Sequence, residues 1–273
     1  MQKISVIAAD GAIAEIFEYG AHVCSWRPAG GTEQLFLSEK SEFVEGAAIR
    51  GGVPIVFPQF SGMGVLPKHG FARNAQWKLV RCGQTEQGAG QAVFELQENI
   101  ARLMLWPHVF RLELTVTVAA DTLQLDFSVS NTGDTAFQFT TALHTYFRVD
   151  DIAKTGIHGL ASSLYRDTVT GQNDCRQEQE LLHIEGEIDR IYANVSEPIV
   201  IAQSHQQLRI CQTGFVDAVV WNPGAEKGAQ LPDMEEGGYQ RYVCVEAASI
   251  MRPVMLEPGR QWQGMQRMVW IPR

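Results

Sequence analysis

The chain lacks the features that mark most secreted, membrane-spanning, nucleic-acid-binding and cofactor-dependent proteins. Cysteine is scarce. The five present (Cys24, Cys82, Cys175, Cys211 and Cys244) are scattered, odd in number and never spaced C-x-x-C. That pattern indicates neither a zinc site nor a disulfide framework, and free thiols suit the reducing cytoplasm. No uninterrupted apolar run reaches the ~18 residues a membrane-spanning helix needs, and no basic leader precedes an apolar core at the N-terminus. No membrane association is expected. Positive charge is also short. With 22 Lys and Arg against 31 Asp and Glu, the formal net charge is −9. A nucleic acid or an anionic membrane would call for a basic face, so neither is expected as a partner. Also missing are the G-x-x-x-x-G-K-[ST] phosphate loop, the dinucleotide fingerprint after a strand, G-x-S-x-G and H-E-x-x-H. No cofactor and no metal is therefore expected.

Long amphipathic helices are missing too, and what stands in their place is alternation. Leu112, Leu114, Val116 and Val118 share one parity, and Leu123, Leu125, Phe127 and Val129 share another, before the turn Asn131-Thr132-Gly133-Asp134. Strict alternation between turn residues marks half-buried antiparallel strands. Ala136–Val149 reads as a third strand, Gln34–Leu37 as a short one, and Val254–Ile271 as a closing hairpin through Glu257-Pro258-Gly259. Further turns fall at Ala9-Asp10-Gly11, Tyr19-Gly20 and Pro28-Ala29-Gly30-Gly31. No repeat, low-complexity segment or shift in composition divides the chain. Residues 1–273 thus read as one all-β domain, a large antiparallel β-sandwich.

The stretch Ile49–Trp77 departs from this pattern. Its glycines and prolines rule out a helix or a central strand. Yet Val53, Ile55, Val56, Phe57, Phe60 and Phe71 make it too apolar for a solvated linker. A rigid, packed loop carrying Arg50, His69 and Arg73 reads as a wall of a binding site. The arginines point to an anionic group on the ligand, because guanidinium matches carboxylate or phosphate oxygens bidentately. Each arginine taken singly also fits a structural role, satisfying loop carbonyls and covering apolar surface. Lys68 either adds charge or faces solvent.

Two candidates for proton chemistry follow from strand parity. His144 falls opposite Phe137, Phe139 and Leu143, on the polar face with Gln138, Thr140 and Tyr146. Glu246 lies in the apolar strand around Arg241–Ala247, where a carboxylate is costly unless it is paired or solvated. A hydrogen-bonded core histidine and a structural ion-pair partner fit the same pattern, and the residues alone leave both readings open. Asp189, in Ile188-Asp189-Arg190-Ile191-Tyr192, carries a weak local signal. Trp221, before Asn222-Pro223, suits a ring over a pocket mouth, although core packing is the commoner use of tryptophan.

Five ordered blocks resemble the aldose 1-epimerase (galactose mutarotase-like) superfamily, and most closely its glucose-6-phosphate 1-epimerase branch. They are RGGVPIVFPQF from Arg50, LPKHGFAR from Leu66, ALHTYF from Ala142, DRIY from Asp189, and WNP followed by VEAAS ending at Ser249. The resemblance implies a β-supersandwich that interconverts the α and β anomers of a sugar 6-phosphate without a cofactor. It implies Glu246 as general base at the anomeric hydroxyl and His144 as general acid at the ring oxygen. It further implies Arg50 and Arg73 on the phosphate, His69 near the ring oxygen and Asp189 on sugar hydroxyls. Lys68 and Trp221 complete the expected substrate contacts, Lys68 standing where many relatives have an uncharged residue. Gly224 stands where an aromatic is common, which is expected to widen the pocket rim. The expected partner is a small-molecule sugar phosphate, and the expected state is a cytoplasmic monomer. Two other readings are a mutarotase for an unphosphorylated aldose and a non-catalytic sugar-phosphate-binding module. Neither fits as well, because a neutral sugar leaves the arginines nothing anionic to hold and a binding module has no need of both His144 and Glu246.

Overall fold

The computed structural model describes residues 1–273. The alternating segments form the strands Phe110–Ala119 and Thr122–Asn131, which pair antiparallel over their full length, Leu112 opposite Val129 and Leu114 opposite Phe127. Their apolar parity is buried throughout, as a period of two demands when one face of a sheet packs inward. These strands lie within a nine-stranded sheet that runs from Leu182–His183 at one edge to Lys78–Gln84 at the other. An eight-stranded sheet packs against it. Its order is Cys175–Arg176, Leu164–Asp167, Ile188–Tyr192, Asp217–Asn222, Tyr242–Leu256, Phe137–Leu143 and Ile55–Val56, with Tyr146–Arg148 also paired to Tyr242–Leu256. A three-stranded sheet, Lys3–Ile7, Ile13–Phe17 and His22–Arg27, completes the layers.

The main interior cluster holds 53 buried apolar residues drawn from all three sheets, and two smaller clusters of 7 and 5 lie beside it. Phe57 sits among Phe71, Trp106, Phe110, Phe127 and Phe139, with ring centroids 5.3–6.5 Å away. Burying each such ring contributes roughly 1.5–3 kcal/mol. This anchor holds the Ile49–Trp77 stretch rigid without regular structure. The helices are short, Ile100–Leu105 and Gly224–Ala229. None is long and apolar enough to cross a membrane.

Three local expectations need correction. Ala136–Val149 is two strands, Phe137–Leu143 and Tyr146–Arg148, interrupted at His144-Thr145. There the His144 amide donates to the Pro54 carbonyl instead of a ladder partner. Val254–Ile271 is no paired hairpin: the strands on either side of the turn, Tyr242–Leu256 and Gln261–Pro272, belong to different sheets. Asn131 ties the crossing, exchanging backbone hydrogen bonds with Gly259 and Arg260. Finally, Gln34–Leu37 makes only isolated bridges, Leu35 to Phe147 and Leu37 to Gly51.

Candidate active site

The break at His144-Thr145 leaves the register intact. Leu143 stands opposite Ala247 on one side of it, and Tyr146 stands opposite Cys244 on the other. Stepping inward from either end brings His144 face to face with Glu246. Their side chains meet, with His144 Nε2 3.3 Å from Glu246 Oε1. Alternate residues of a strand share a face, so the next row carries Tyr146, Cys244, Trp221 and Asp189, paired across four strands. Two rows of one sheet face thus bring together residues from distant parts of the sequence, from His144 to Glu246.

A neutral polar bridge fixes the pair from behind. The Thr145 hydroxyl donates to Gln266 Oε1 at 2.6 Å, and Gln266 Nε2 donates to the Val245 carbonyl at 3.1 Å. Gln266 is fully buried and belongs to the opposite, nine-stranded sheet. In front, the Tyr146 ring stacks on His144 at 4.9 Å, and Trp221 meets His144 edge-on at 5.7 Å.

His144 and Glu246 are 8% and 1% exposed. Burial, then the His69 ring and the charges of Arg73 and Arg50, holds His144 well below the ordinary imidazole range. Burial, then the charge of Asp189, pushes Glu246 well above the ordinary carboxyl range. The close contact alone would favour an ion pair. However, Glu246 Oε2 is buried without a partner, and an ionised carboxylate with an unpartnered oxygen pays the larger desolvation cost. The direction is therefore a neutral pair, with carboxylic acid facing imidazole.

The Ile49–Trp77 wall supplies His69 in an unusual backbone state, with φ of +68°. Gly70 follows, also at positive φ, packed so closely that a Cβ there would strike the Phe57 carbonyl. Left-handed backbone at a non-glycine residue persists only where its surroundings fix it, and such residues cluster at functional sites. The Ser61 amide donates to His69 Nδ1 at 3.3 Å. Burial and the charges of Arg73, Lys68 and Arg50 hold its pKa down at about 3. A neutral imidazole whose Nδ1 accepts carries its hydrogen on Nε2. His69 is thus a hydrogen-bond donor.

Positive charge gathers at the mouth, and its members differ. Arg50 is committed: Nε and Nη2 reach both carboxylate oxygens of Asp233 at 3.2 and 3.1 Å, and Nη1 donates to the Tyr146 hydroxyl at 3.1 Å. Arg73 is free by comparison, with Nη2 donating only to the Lys68 carbonyl and a buried Nε that has no partner. Partial burial and the neighbouring charges of Lys227, Arg73 and Arg50 lower the pKa of Lys68.

The eight residues singled out from the sequence all line this one cavity, of about 170 Å³, which Tyr146, Lys227 and Asp233 also line. Sequence reasoning placed Tyr146 on the face of His144 but gave it no role, and it missed Lys227 and Asp233. Both of these lie on the segment from the short helix Gly224–Ala229 to residue 233, where no periodicity marks them. Gly224 does not line the cavity. It has a φ of +65°, and a Cβ there would strike the Glu187 amide nitrogen. Backbone geometry, rather than a wider rim, accounts for this glycine. No group of three or more His, Cys, Asp or Glu side chains is placed to hold a metal ion.

This antiparallel β-sandwich, with a buried histidine facing a buried glutamate on one sheet face, has the galactose mutarotase-like fold. The aldose 1-epimerase family profile matches residues 2–268, and the chain belongs to that family. It is similar to a protein of Cenchrus ciliaris named "Putative glucose-6-phosphate 1-epimerase", at 33% identity over 100% of this chain and 85% of that one. It is also similar to a protein of the same name from Escherichia coli K12, at 36% identity over 84% and 77%. The crystal structure of "a putative mutarotase (YeaD)" from Salmonella typhimurium superposes with a TM-score of 0.91 at 30% identity, covering 99% of this chain and 90% of that one.

Proposed function

We propose that this protein is an isomerase that interconverts the α and β anomers of a hexose 6-phosphate, with glucose 6-phosphate as the substrate its relatives' names indicate. Supporting this most directly is the juxtaposition of His144 and Glu246 at the cavity floor, 3.3 Å apart, below a mouth where Arg73 is uncommitted. The two oxygens that exchange protons in mutarotation hang on one carbon, so acid and base must be neighbours. Glu246 takes the proton of the anomeric hydroxyl while His144 gives one to the ring oxygen. The bond from C1 to the ring oxygen breaks, its electron pair going to that oxygen, and C1 becomes an aldehyde. Rotation about C1–C2 presents the other carbonyl face. His144 then recovers the hydroxyl proton and Glu246 returns one to the carbonyl oxygen as the ring closes. Acid and base exchange roles at each closure, and no proton is lost.

His69 Nε2–H donates to a sugar oxygen, and Asp189, on the same sheet face, accepts from sugar hydroxyls. Trp221 gives an apolar wall. Arg73, with Lys68 and Arg50, receives the phosphate. We read residues 1–273 as one domain, since one apolar cluster spans all three sheets, and propose a monomer in the cytoplasm, whose reducing conditions suit five free cysteines. Anomer exchange measured by NMR on glucose 6-phosphate and on free glucose tests the reading. Acceleration of the phosphorylated sugar well above its spontaneous rate, and far less of the free sugar, is expected. Equal acceleration of both would remove the arginines from substrate selection, and acceleration of neither would leave the binding-module reading in front.

A further inference from the structure

The reaction begins with Glu246 as carboxylate and His144 as imidazolium, whereas the burial and protein surroundings of the pair favour the opposite arrangement, with the proton on Glu246. Arg50, Arg73 and the His69 ring face His144 from the Ile49–Trp77 wall, and Tyr146 stacks on it. Around Glu246 stand Asp189 and Cys244. Beyond burial, the cations that act on His144 are Arg73 and Arg50, the latter already held by Asp233, and the charge that acts on Glu246 is that of Asp189, so both surroundings favour the proton on the carboxyl. Only the positive side is open to neutralisation from outside, because Arg73 keeps an unpartnered Nε and Lys68 and Lys227 stand beside it at the cavity mouth.

We propose that the substrate's phosphate dianion, on reaching Arg73, drives the proton from the Glu246 carboxyl across the 3.3 Å contact to Nε2 of His144. The anionic group then arms the acid–base pair as well as anchoring the sugar. The step balances within the site: the O–H bond of Glu246 breaks, an N–H bond forms on His144, the carboxylate keeps the electron pair, and no other group gains or loses a proton. The driving force is electrostatic. Burial sets the largest part of the bias against imidazolium, and two negative charges placed beside Arg73 offset the part that the arginines add, in a cavity whose low dielectric makes such fields strong. The selectivity for phosphorylated sugars would then appear in kcat as well as in KM, because a free sugar occupies the site without arming it.

The inference rests on the hexose-6-phosphate reading, and binding experiments on the intact protein separate the two. The probe is 1,5-anhydroglucitol 6-phosphate, which carries the phosphate but no anomeric hydroxyl and so cannot react. Nitrogen NMR of histidine-labelled protein at neutral pH, with His144 assigned through His144→Gln, reads the imidazole. In the free protein its two nitrogens should be widely separated, as in neutral imidazole. Saturating probe should bring them together at the imidazolium position, and unphosphorylated 1,5-anhydroglucitol should leave them apart. Infrared difference spectra give an independent reading: binding should remove a carboxylic-acid C=O band that is absent in Glu246→Gln. Binding of the phosphorylated probe with no change at His144 would overturn the inference and leave the proposed activity standing. An imidazolium already present in the free protein would also overturn it. Failure of the phosphorylated probe to bind would overturn the hexose-6-phosphate reading, and the inference with it.

Discussion

The floor and the mouth of the cavity are built on opposite principles. At the floor, His144 and Glu246 are buried, sit opposite each other across two paired strands and are backed by Gln266 from the other sheet. At the mouth, Lys68 follows an exposed loop, Lys227 projects from a two-turn helix and Arg73 sits on a single turn, Ala72–Asn74. Proton transfer tolerates only a few tenths of an ångström of drift, and a sheet register supplies that precision. Anion recognition works through long side chains and longer-range fields, which loops can carry. Arg50 straddles the two regions. Asp233 grips its fork, while its third nitrogen touches Tyr146, which in turn stacks on His144.

If that division holds, changes at the floor and the mouth should fail in different ways. Glu246→Gln should lower kcat for anomer exchange of glucose 6-phosphate by about 10²–10⁴-fold, the usual contribution of a positioned general base, and by a smaller factor for free sugar, which does not arm the pair. A rise in KM with kcat unchanged would erase the distinction between the regions. Phe57→Ala removes the anchor that joins them and should cost roughly 3–5 kcal/mol of stability, read as a lower urea midpoint. Arg73→Ala should raise KM for glucose 6-phosphate by roughly 10- to 150-fold, equivalent to about 1.5–3 kcal/mol for a hydrogen bond to a charged group, with little change for free glucose. Lys68→Ala, at the exposed edge, should weaken binding by roughly 0.2–1 kcal/mol, and added salt should shrink the effect further.

Acid should act on the fold through histidines outside the pair. His22 and His69 are each held at about 3 against an ordinary 6.5, in both cases chiefly by burial. Unfolding releases them to take up protons. Their neutral forms therefore support the fold fully above pH 6.5, and that support drains away as pH falls towards 3. At pH 5 unfolding should take up about two protons through these groups, visible as a falling melting temperature between pH 6.5 and 4. A flat profile over that range would mean that neither is buried in its neutral form.

Much of this was legible before any coordinates. The alternation from Leu112 to Val129 placed two central strands, and parity put His144 and Tyr146 on one face and Glu246 in an apolar strand. What escaped has physical reasons. The interruption at His144-Thr145 leaves no trace in the side-chain pattern, because the missing ladder bond is a backbone event, replaced by the Pro54 carbonyl. The turn at Glu257-Pro258-Gly259 looks the same whether its strands pair or part into two sheets. That choice belongs to Asn131, more than a hundred residues earlier. Asp233 and Lys227 reach the cavity through tertiary placement of an irregular segment, and no local period encodes such placement. Gly224 was misread because a backbone requirement and a pocket requirement both look like a small residue.

The Gln266 bridge has an evolutionary consequence. Gln266 reaches from the nine-stranded sheet to Thr145 and Val245, the chain neighbours of His144 and Glu246, so one uncharged amide ties both of their strands in place without touching the loops at the mouth. Insertions and deletions in the loops can therefore leave the placement of His144 and Glu246 intact, while a change of charge at Arg50 or Arg73 retunes His144 through the field it places there. A lineage that exchanges one sugar for another through uncharged mouth residues keeps the geometry of the pair. Substitution of Gln266 itself, remote from every ligand atom, would be felt in all of its descendants alike.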